Sequence, residues 1–117
     1  ARKRPLVIGL HSGGFLESFC RSIPCYVRYS NGVLAPNFAR QGFVTASIEY
    51  RLTSPLEFVK SRVGDEKLRE TEYKAVQDAR AAIRYAFENA DRLGVDRENI
   101  FVMGTSAGAI TALHAAY

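Results

Sequence analysis

The chain has 117 residues, 47% of them hydrophobic, and no low-complexity segment, so one packed domain is expected. Its formal net charge of +4 is spread along the chain, and the lack of a basic stripe with interleaved aromatic residues argues against nucleic-acid binding. The longest uncharged stretch, residues 100–117, is interrupted by Gly and Thr-Ser, which is more typical of a strand followed by a helix than of a membrane span.

The first predicted element is a buried strand at residues 6–10, a continuous apolar run introduced by Pro5. It is followed directly by residues 11–15, His-Ser-Gly-Gly-Phe. Adjacent glycines after a buried strand allow backbone N–H groups to point into a cleft and hold a developing negative charge. Taken alone, however, Gly13 and Gly14 are more typical of an ordinary glycine turn.

A segment without clear periodicity, residues 17–31, is predicted to be a loop. It holds the two cysteines of the chain, Cys20 and Cys25, which could form a small disulfide or remain unpaired thiols. A disulfide would favour a secreted or periplasmic location; otherwise the localisation stays open. The sequence contains no His and Cys cluster with metal-ligand spacing, so neither a metal nor another cofactor is predicted.

The middle of the chain alternates helix and strand signals. Residues 33–40 are predicted to form a short helix stopped by Gly42, and residues 43–50, rich in β-branched and aromatic side chains, a strand. Residues 51–64 contain Pro55 and are predicted to be a loop.

The clearest helix begins between Asp65 and Thr71 and ends at Leu93. Its apolar residues recur with a period of 3.6; they are Val76, Ala79, Ile83, Ala86, Phe87, Ala90 and Leu93. Gly94 fits the position just past the end, where a left-handed residue is needed. Asp78 lies in this helix and is interpreted as structural rather than catalytic, because charges on such a helix mostly form a solvated face.

The last segment contains the candidate nucleophile. Residues 95–99 are predicted to be a turn, and residues 100–103 a short buried strand. Residues 104–108, Gly-Thr-Ser-Ala-Gly, then lead into an alanine-rich helix. A Gly-x-Ser-x-Gly between a strand and a helix is the nucleophile-elbow pattern, in which a sharp turn exposes the serine hydroxyl. The pattern therefore predicts Ser106 as a nucleophile.

Strands that alternate with helices predict an α/β fold with parallel strands and right-handed crossovers. A dinucleotide-binding fold shares that outline, but no Gly-x-Gly-x-x-Gly follows any of the predicted strands.

With these motifs placed, the chain resembles the α/β-hydrolase fold, and within it the carboxylesterase/lipase group whose oxyanion motif is His-Gly-Gly-Gly. The resemblance runs in the family's order over nearly the whole chain, through residues 11–15, 46–52, 75–85 and 104–109. It implies a three-layer α/β/α architecture with a parallel sheet. The strand at 6–10 would lie between those at 43–50 and 100–103, the order 4-3-5 in the fold's own strand numbering.

The resemblance implies a serine esterase that acts on a small-molecule carboxylic ester without a cofactor. Ser106 would be the acyl-accepting nucleophile, and the N–H groups of Ala107, Gly13 and Gly14 would form the oxyanion hole. Ser12 stands where the family usually has the first glycine.

In this fold the acid and the histidine of the catalytic triad follow the elbow. His114 lies on the same predicted helix as Ser106, about 12 Å further along its axis, which is beyond hydrogen-bond reach. His11 precedes the glycines and looks like a loop-shaping residue. Residues 1–117 are therefore expected to be a partial hydrolase domain, nearly inactive alone, with the acid and the base outside it.

An alternative hypothesis is a catalytically incomplete piece that acts as a self-associating or binding module. The strand at 100–103 would expose an apolar edge, which invites pairing with the remainder of the protein or with a second copy. A clipped protein, a truncated gene and a self-associating piece all remain open.

Overall fold

The computed structural model describes residues 2–17, 32–54, 56 and 64–117. Most of the predicted loop at 17–31, including Cys20 and Cys25, lies outside the described residues, as does most of the predicted loop at 51–64. The remaining predicted elements can all be compared with the structure.

Three parallel strands form the sheet in the described part of the chain. They are β1 (Arg4–Leu10), β2 (Val44–Ile48) and β3 (Val95–Gly104), in the order β2-β1-β3. The central strand is the continuous apolar run, as predicted, because a strand with neighbours on both edges and helices on both faces is shielded from water.

Helices cover both faces of this sheet. They are α1 (Gly32–Arg40), α2 (Gly64–Glu88), the short α3 (Ala90–Leu93) and α4 (Ala107–Ala116). Leu6, Ile8 and Leu10 are buried in clusters with alanines of α2, α3 and α4. Val7 points to the opposite face, next to α1, because successive side chains of a strand alternate between faces. The α/β fold and the strand order are thus confirmed.

The long helix ends earlier than predicted. α2 stops at Glu88, and Asn89 separates it from α3. Asn89 departs from the helical conformation, with φ −101° and ψ 15°, although the apolar period continues to Leu93. Its side-chain amide donates to the carbonyl oxygen of Tyr85 at 2.8 Å, beside its own backbone amide at 3.0 Å. Gly94 has φ 69°, the left-handed conformation predicted for it.

The prediction of a turn at residues 95–99 before the strand is wrong, because these residues already belong to β3. Pairing with β1 is irregular there, since Arg4 faces Val95 whereas Leu6 faces Ile100. The intervening residues bulge, and the carboxylate of Asp96 accepts the backbone amide of Glu98 at 3.0 Å. The chain does bulge at the predicted turn. The bulge lies inside one strand, because β3 pairs with β1 both before and after it.

Candidate active site

The two glycine-containing motifs leave the sheet at the same edge. Leu10, the last residue of β1, is paired with Gly104, the last residue of β3. The carboxyl ends of parallel strands are where α/β proteins place their ligands, and both motifs begin there.

Ser106 occupies the turn between β3 and α4. It has φ 53° and ψ −122°, and its side chain is exposed. A positive φ is costly for a residue with a Cβ, by about 1–3 kcal/mol, and such strain persists only where the surrounding structure enforces it. Ser106 thus stands on a strained turn between a strand and a helix, with its side chain exposed.

The surrounding structure includes two glycines at positions where a side chain would collide with backbone. A Cβ on Gly104 would lie 2.3 Å from the carbonyl carbon of Gly108, and one on Gly108 would lie 2.1 Å from the carbonyl oxygen of Leu10. The first contact allows the strand and helix to meet at a tight angle. The second seats the start of α4 directly on the end of β1.

The same contact brings the loop after β1 to the elbow. A Cβ on Gly108 would also lie 2.7 Å from the carbonyl oxygen of His11, the first residue after the strand. The backbone that leads into Gly13 and Gly14 thus begins against the first turn of α4. The structure brings the start of the predicted oxyanion loop next to the helix that the candidate nucleophile precedes.

The loop turns through three consecutive residues with positive φ. Gly13 has φ 127°, Gly14 has φ 60° and Phe15 has φ 63°. The amide of Leu16 donates to the carbonyl oxygen of Gly13 at 3.0 Å and closes the turn. Glycine adopts these conformations without steric cost, whereas the strained Phe15 is compensated by a side chain only 4% exposed.

The amide of Ala107 fits the role of an oxyanion donor. It begins α4 and is buried, whereas Ser106 is exposed. The next three amides, those of Gly108, Ala109 and Ile110, donate to the carbonyl oxygens of Thr105 and Ser106. Among the described residues, no backbone carbonyl accepts the amide of Ala107. It also lies at the positive end of the helix dipole, which favours an anion.

A segment after β2, residues 50–53, braces the glycine loop, which sequence reasoning missed. The hydroxyl of Tyr50 donates to the carbonyl oxygen of His11, and its ring stacks on that of His11 with centroids 4.3 Å apart and planes at 11°. The amide of Thr53 donates to the carbonyl oxygen of Phe15 at 2.9 Å. The available signal was the family match over residues 46–52, which gives no contacts by itself.

Asp78 contacts Arg51 through both backbone and side chain. The backbone amide of Arg51 donates to Asp78 Oδ2 at 2.9 Å, and its Nε lies 3.1 Å from Oδ1 and 3.0 Å from Oδ2. Partial burial opposes ionisation, but the hydrogen bonds and charge of Arg51 outweigh it and hold the pKa of the Asp78 carboxyl below its ordinary value.

The two histidines of the chain contact residues of the glycine loop, residues 50–53 and α2. His11 is fully buried, and its Nδ1 lies 2.6 Å from the backbone oxygen of Ser12. His114 Nδ1 lies 3.1 Å from Glu72 Oε1 on α2, and position 114 is about 12 Å along α4 from position 106. This separation exceeds hydrogen-bond reach from the hydroxyl of Ser106.

Within the described ranges, no helix combines the length and hydropathy of a membrane span. No set of three or more His, Cys, Asp and Glu side chains in the same ranges could hold a metal ion.

Comparison with known proteins gives one family and one related structure. The BD-FAE family model matches residues 1–117. The crystal structure of an acetyl ester-xyloside bifunctional hydrolase from Caldicellulosiruptor lactoaceticus is similar, with a TM-score of 0.67 and 20% sequence identity. The match covers 96% of this chain and 33% of that chain, so this chain spans about a third of that hydrolase. No curated protein matches the sequence.

Proposed function

The chain belongs to the BD-FAE family of α/β-hydrolase-type esterase domains, and from this premise we propose that it supplies the nucleophile and the oxyanion hole of a serine carboxylic-ester hydrolase. Ser106 is the nucleophile, and the N–H groups of Ala107, Gly13 and Gly14 stabilise the oxyanion. The activity is of the carboxylesterase or lipase type and needs no cofactor.

The observation that carries this proposal is the backbone of Ser106. A non-glycine residue with φ 53° stands between a strand and a helix, and Gly108 presses the helix start against the carbonyls of Leu10 and His11. Backbone strain of this kind clusters at active sites. The strain supports a serine that is held out for reaction.

In the proposed mechanism, the Ser106 hydroxyl oxygen attacks the ester carbonyl carbon while a histidine base takes its proton. The negative charge that develops on the carbonyl oxygen is held by the three backbone N–H groups. Collapse of this intermediate breaks the bond to the alcohol, which leaves with the proton from the histidine. Water then attacks the acyl-serine, returns its proton through the same base to Ser106, and releases the acid.

The base and its acidic partner are proposed to lie outside residues 1–117. Two observations support this: His114 is bonded to Glu72 far along α4, and this chain corresponds to 33% of the related hydrolase. That hydrolase is described as acting on acetyl esters, so p-nitrophenyl acetate is a suitable first substrate.

The test is Ser106→Ala in the full-length protein that contains this chain. We expect hydrolysis of p-nitrophenyl acetate to fall by roughly 10³-fold or more, because the acyl acceptor is lost. A fluorophosphonate probe should label the wild type and not the variant. Thr105→Ala is the matched control, since it removes the neighbouring exposed hydroxyl and should leave labelling intact. Retained hydrolysis in Ser106→Ala would contradict the proposal.

A second candidate function is a binding or self-associating module, favoured by the exposed edge of β3, where Phe101 is 50% exposed. An unlabelled Ser106 in the folded full-length protein would favour this candidate over the esterase.

A further inference from the structure

We propose that Arg51 and Asp78 form a positioning pair that fixes the oxyanion loop relative to the elbow. The inference rests on the proposed esterase function and adds residues that touch neither the substrate nor the reacting atoms. Its basis is a continuous series of contacts from α2 through residues 50–53 to the glycine loop.

The first step is the contact between residues 50–53 and the loop. Tyr50 binds the loop at its start, through the carbonyl oxygen of His11. Thr53 binds the end of the loop through two backbone hydrogen bonds. Its carbonyl oxygen accepts the amide of Glu17 at 3.0 Å, and its own amide donates to the carbonyl oxygen of Phe15 at 2.9 Å. Gly13 and Gly14 lie between these two attachments, so the orientation of their amides depends on the position of residues 50–53.

The second step is the attachment of the bracing segment to α2. Arg51 lies between Tyr50 and Thr53. Its backbone amide and its guanidinium Nε both donate hydrogen bonds to the carboxylate of Asp78. The guanidinium also reaches Gln77 Oε1 at 3.3 Å. The backbone amide matters most, because it fixes the path of the chain itself and not merely a flexible side chain.

The third step is the position of Asp78 on α2. The neighbouring residues Ala75 and Ala79 are buried in one cluster with Phe15 of the loop and Ala107 of the elbow. α2 thus packs against both halves of the proposed oxyanion hole. A hydrogen bond between α2 and residues 50–53 therefore helps to set the distance between the loop amides of Gly13 and Gly14 and the amide of Ala107.

The Arg51–Asp78 pair should affect turnover more than it affects the stability of the fold. The side chains of Arg51 and Asp78 are 54% and 27% exposed, and ion pairs this accessible to water contribute little to the stability of the fold. Catalytic groups, in contrast, can lose about 10²-fold in rate when misplaced by about 1 Å, and removal of one oxyanion donor costs about 10²–10³ in turnover.

The experiment compares Asp78→Asn and Arg51→Gln in the full-length protein with Asp91→Asn. Asp91 also carries exposed ion pairs, to Lys3 and Arg97, but neither partner contacts the loop. For the Asp78 and Arg51 variants, we expect kcat for p-nitrophenyl acetate to fall about tenfold or more with KM within about twofold, because oxyanion contacts form mainly in the transition state. The inhibition constant of a trifluoromethyl ketone should rise in parallel, and the double variant should lose no more than either single one.

The outcomes separate this inference from the function on which it rests. If Ser106→Ala abolishes hydrolysis but Asp78→Asn and Arg51→Gln match Asp91→Asn in kcat, the positioning role is wrong and the esterase proposal stands. If the loss of turnover in these variants is explained by a loss of folded protein in thermal unfolding, the pair is only structural. If Ser106→Ala keeps its activity, both proposals fall.

Discussion

Two strained residues occupy the candidate site, and glycines accompany each of them. Ser106 has φ 53° and Phe15 has φ 63°, the two non-glycine residues with positive φ among those described. Ser106 is held by the close approach allowed by Gly104 and Gly108, and Phe15 by burial against Tyr50, with ring centroids 6.3 Å apart. At the residue scale, the site is thus built by backbone positions that ordinary side chains would not tolerate.

Replacement of Gly108 by alanine tests this directly. Its Cβ would lie 2.1 Å from the carbonyl oxygen of Leu10, and neither backbone can move without disturbing the sheet. We expect Gly108→Ala to lower the free energy of unfolding by at least about 3 kcal/mol, the upper end of overpacking costs, and to abolish fluorophosphonate labelling. Gly94→Ala is the control: its Cβ meets nothing within 4 Å, so only the left-handed backbone at about 1–2 kcal/mol is penalised. Equal costs in denaturant titrations would contradict the close-approach argument.

At the scale of elements, the sequence was sufficient where a local pattern and tertiary packing agree. The central strand and the period of α2 are fixed by burial, so their type and order were predictable. The end of α2 was not predictable, because Asn89 departs from the helical conformation inside an apolar period that continues to Leu93. The prediction of a turn at residues 95–99 was wrong for the opposite reason. There the pairing of β3 with β1 outweighs a local turn signal.

The carboxylate of Asp91 links the bulged start of β3 to the segment just before β1. Hydrogen bonds from Arg97 of β3 and from Lys3, just before β1, lower the pKa of Asp91 from 3.8 to about 2. A carboxyl whose pKa is depressed on folding contributes stability above its unfolded pKa of 3.8 and loses it as the pH falls through about 2. We therefore expect the thermal stability of the wild type to exceed that of Asp91→Asn at pH 5 and to converge with it towards pH 2.

High salt should also reduce that difference at pH 5, because the groups are exposed and the interaction is screened. Glu70→Gln, which loses an exposed pair with Lys74 within α2, serves as the control for loss of a surface charge without a link between elements. A difference between wild type and Asp91→Asn that is independent of pH would contradict the assignment.

At the scale of the whole molecule, the sequence indicated which residues could react but not what holds them. Ser106 was predicted from the Gly-x-Ser-x-Gly pattern between a strand and a helix, and the roles of Ala107, Gly13 and Gly14 were implied by the family resemblance. The brace formed by Tyr50 and Thr53 requires segments distant in sequence to meet, and a single sequence carries no record of such contacts.

The outer strand β3 gives the last prediction. In the described part of the chain it pairs with β1 alone, and an apolar groove of about 290 Å³ opens beside it. The groove is lined by Val7, Phe38, Phe43, Phe101 and Met103. An uncovered strand edge beside an apolar surface favours association, so we expect residues 1–117 expressed alone to form oligomers in light scattering and to show little ester turnover.

Phe101→Glu should shift that distribution towards monomer, because it places a charge in the apolar groove beside the edge. Tyr85→Glu is the matched control, since Tyr85 is 53% exposed on α2 and does not line the groove. Equal effects of the two substitutions would show that general surface hydrophobicity, and not the edge of β3, drives association. Robust Ser106-dependent hydrolysis by residues 1–117 alone would instead place a working base inside this chain, and the proposal that the histidine of the triad lies outside it would be wrong.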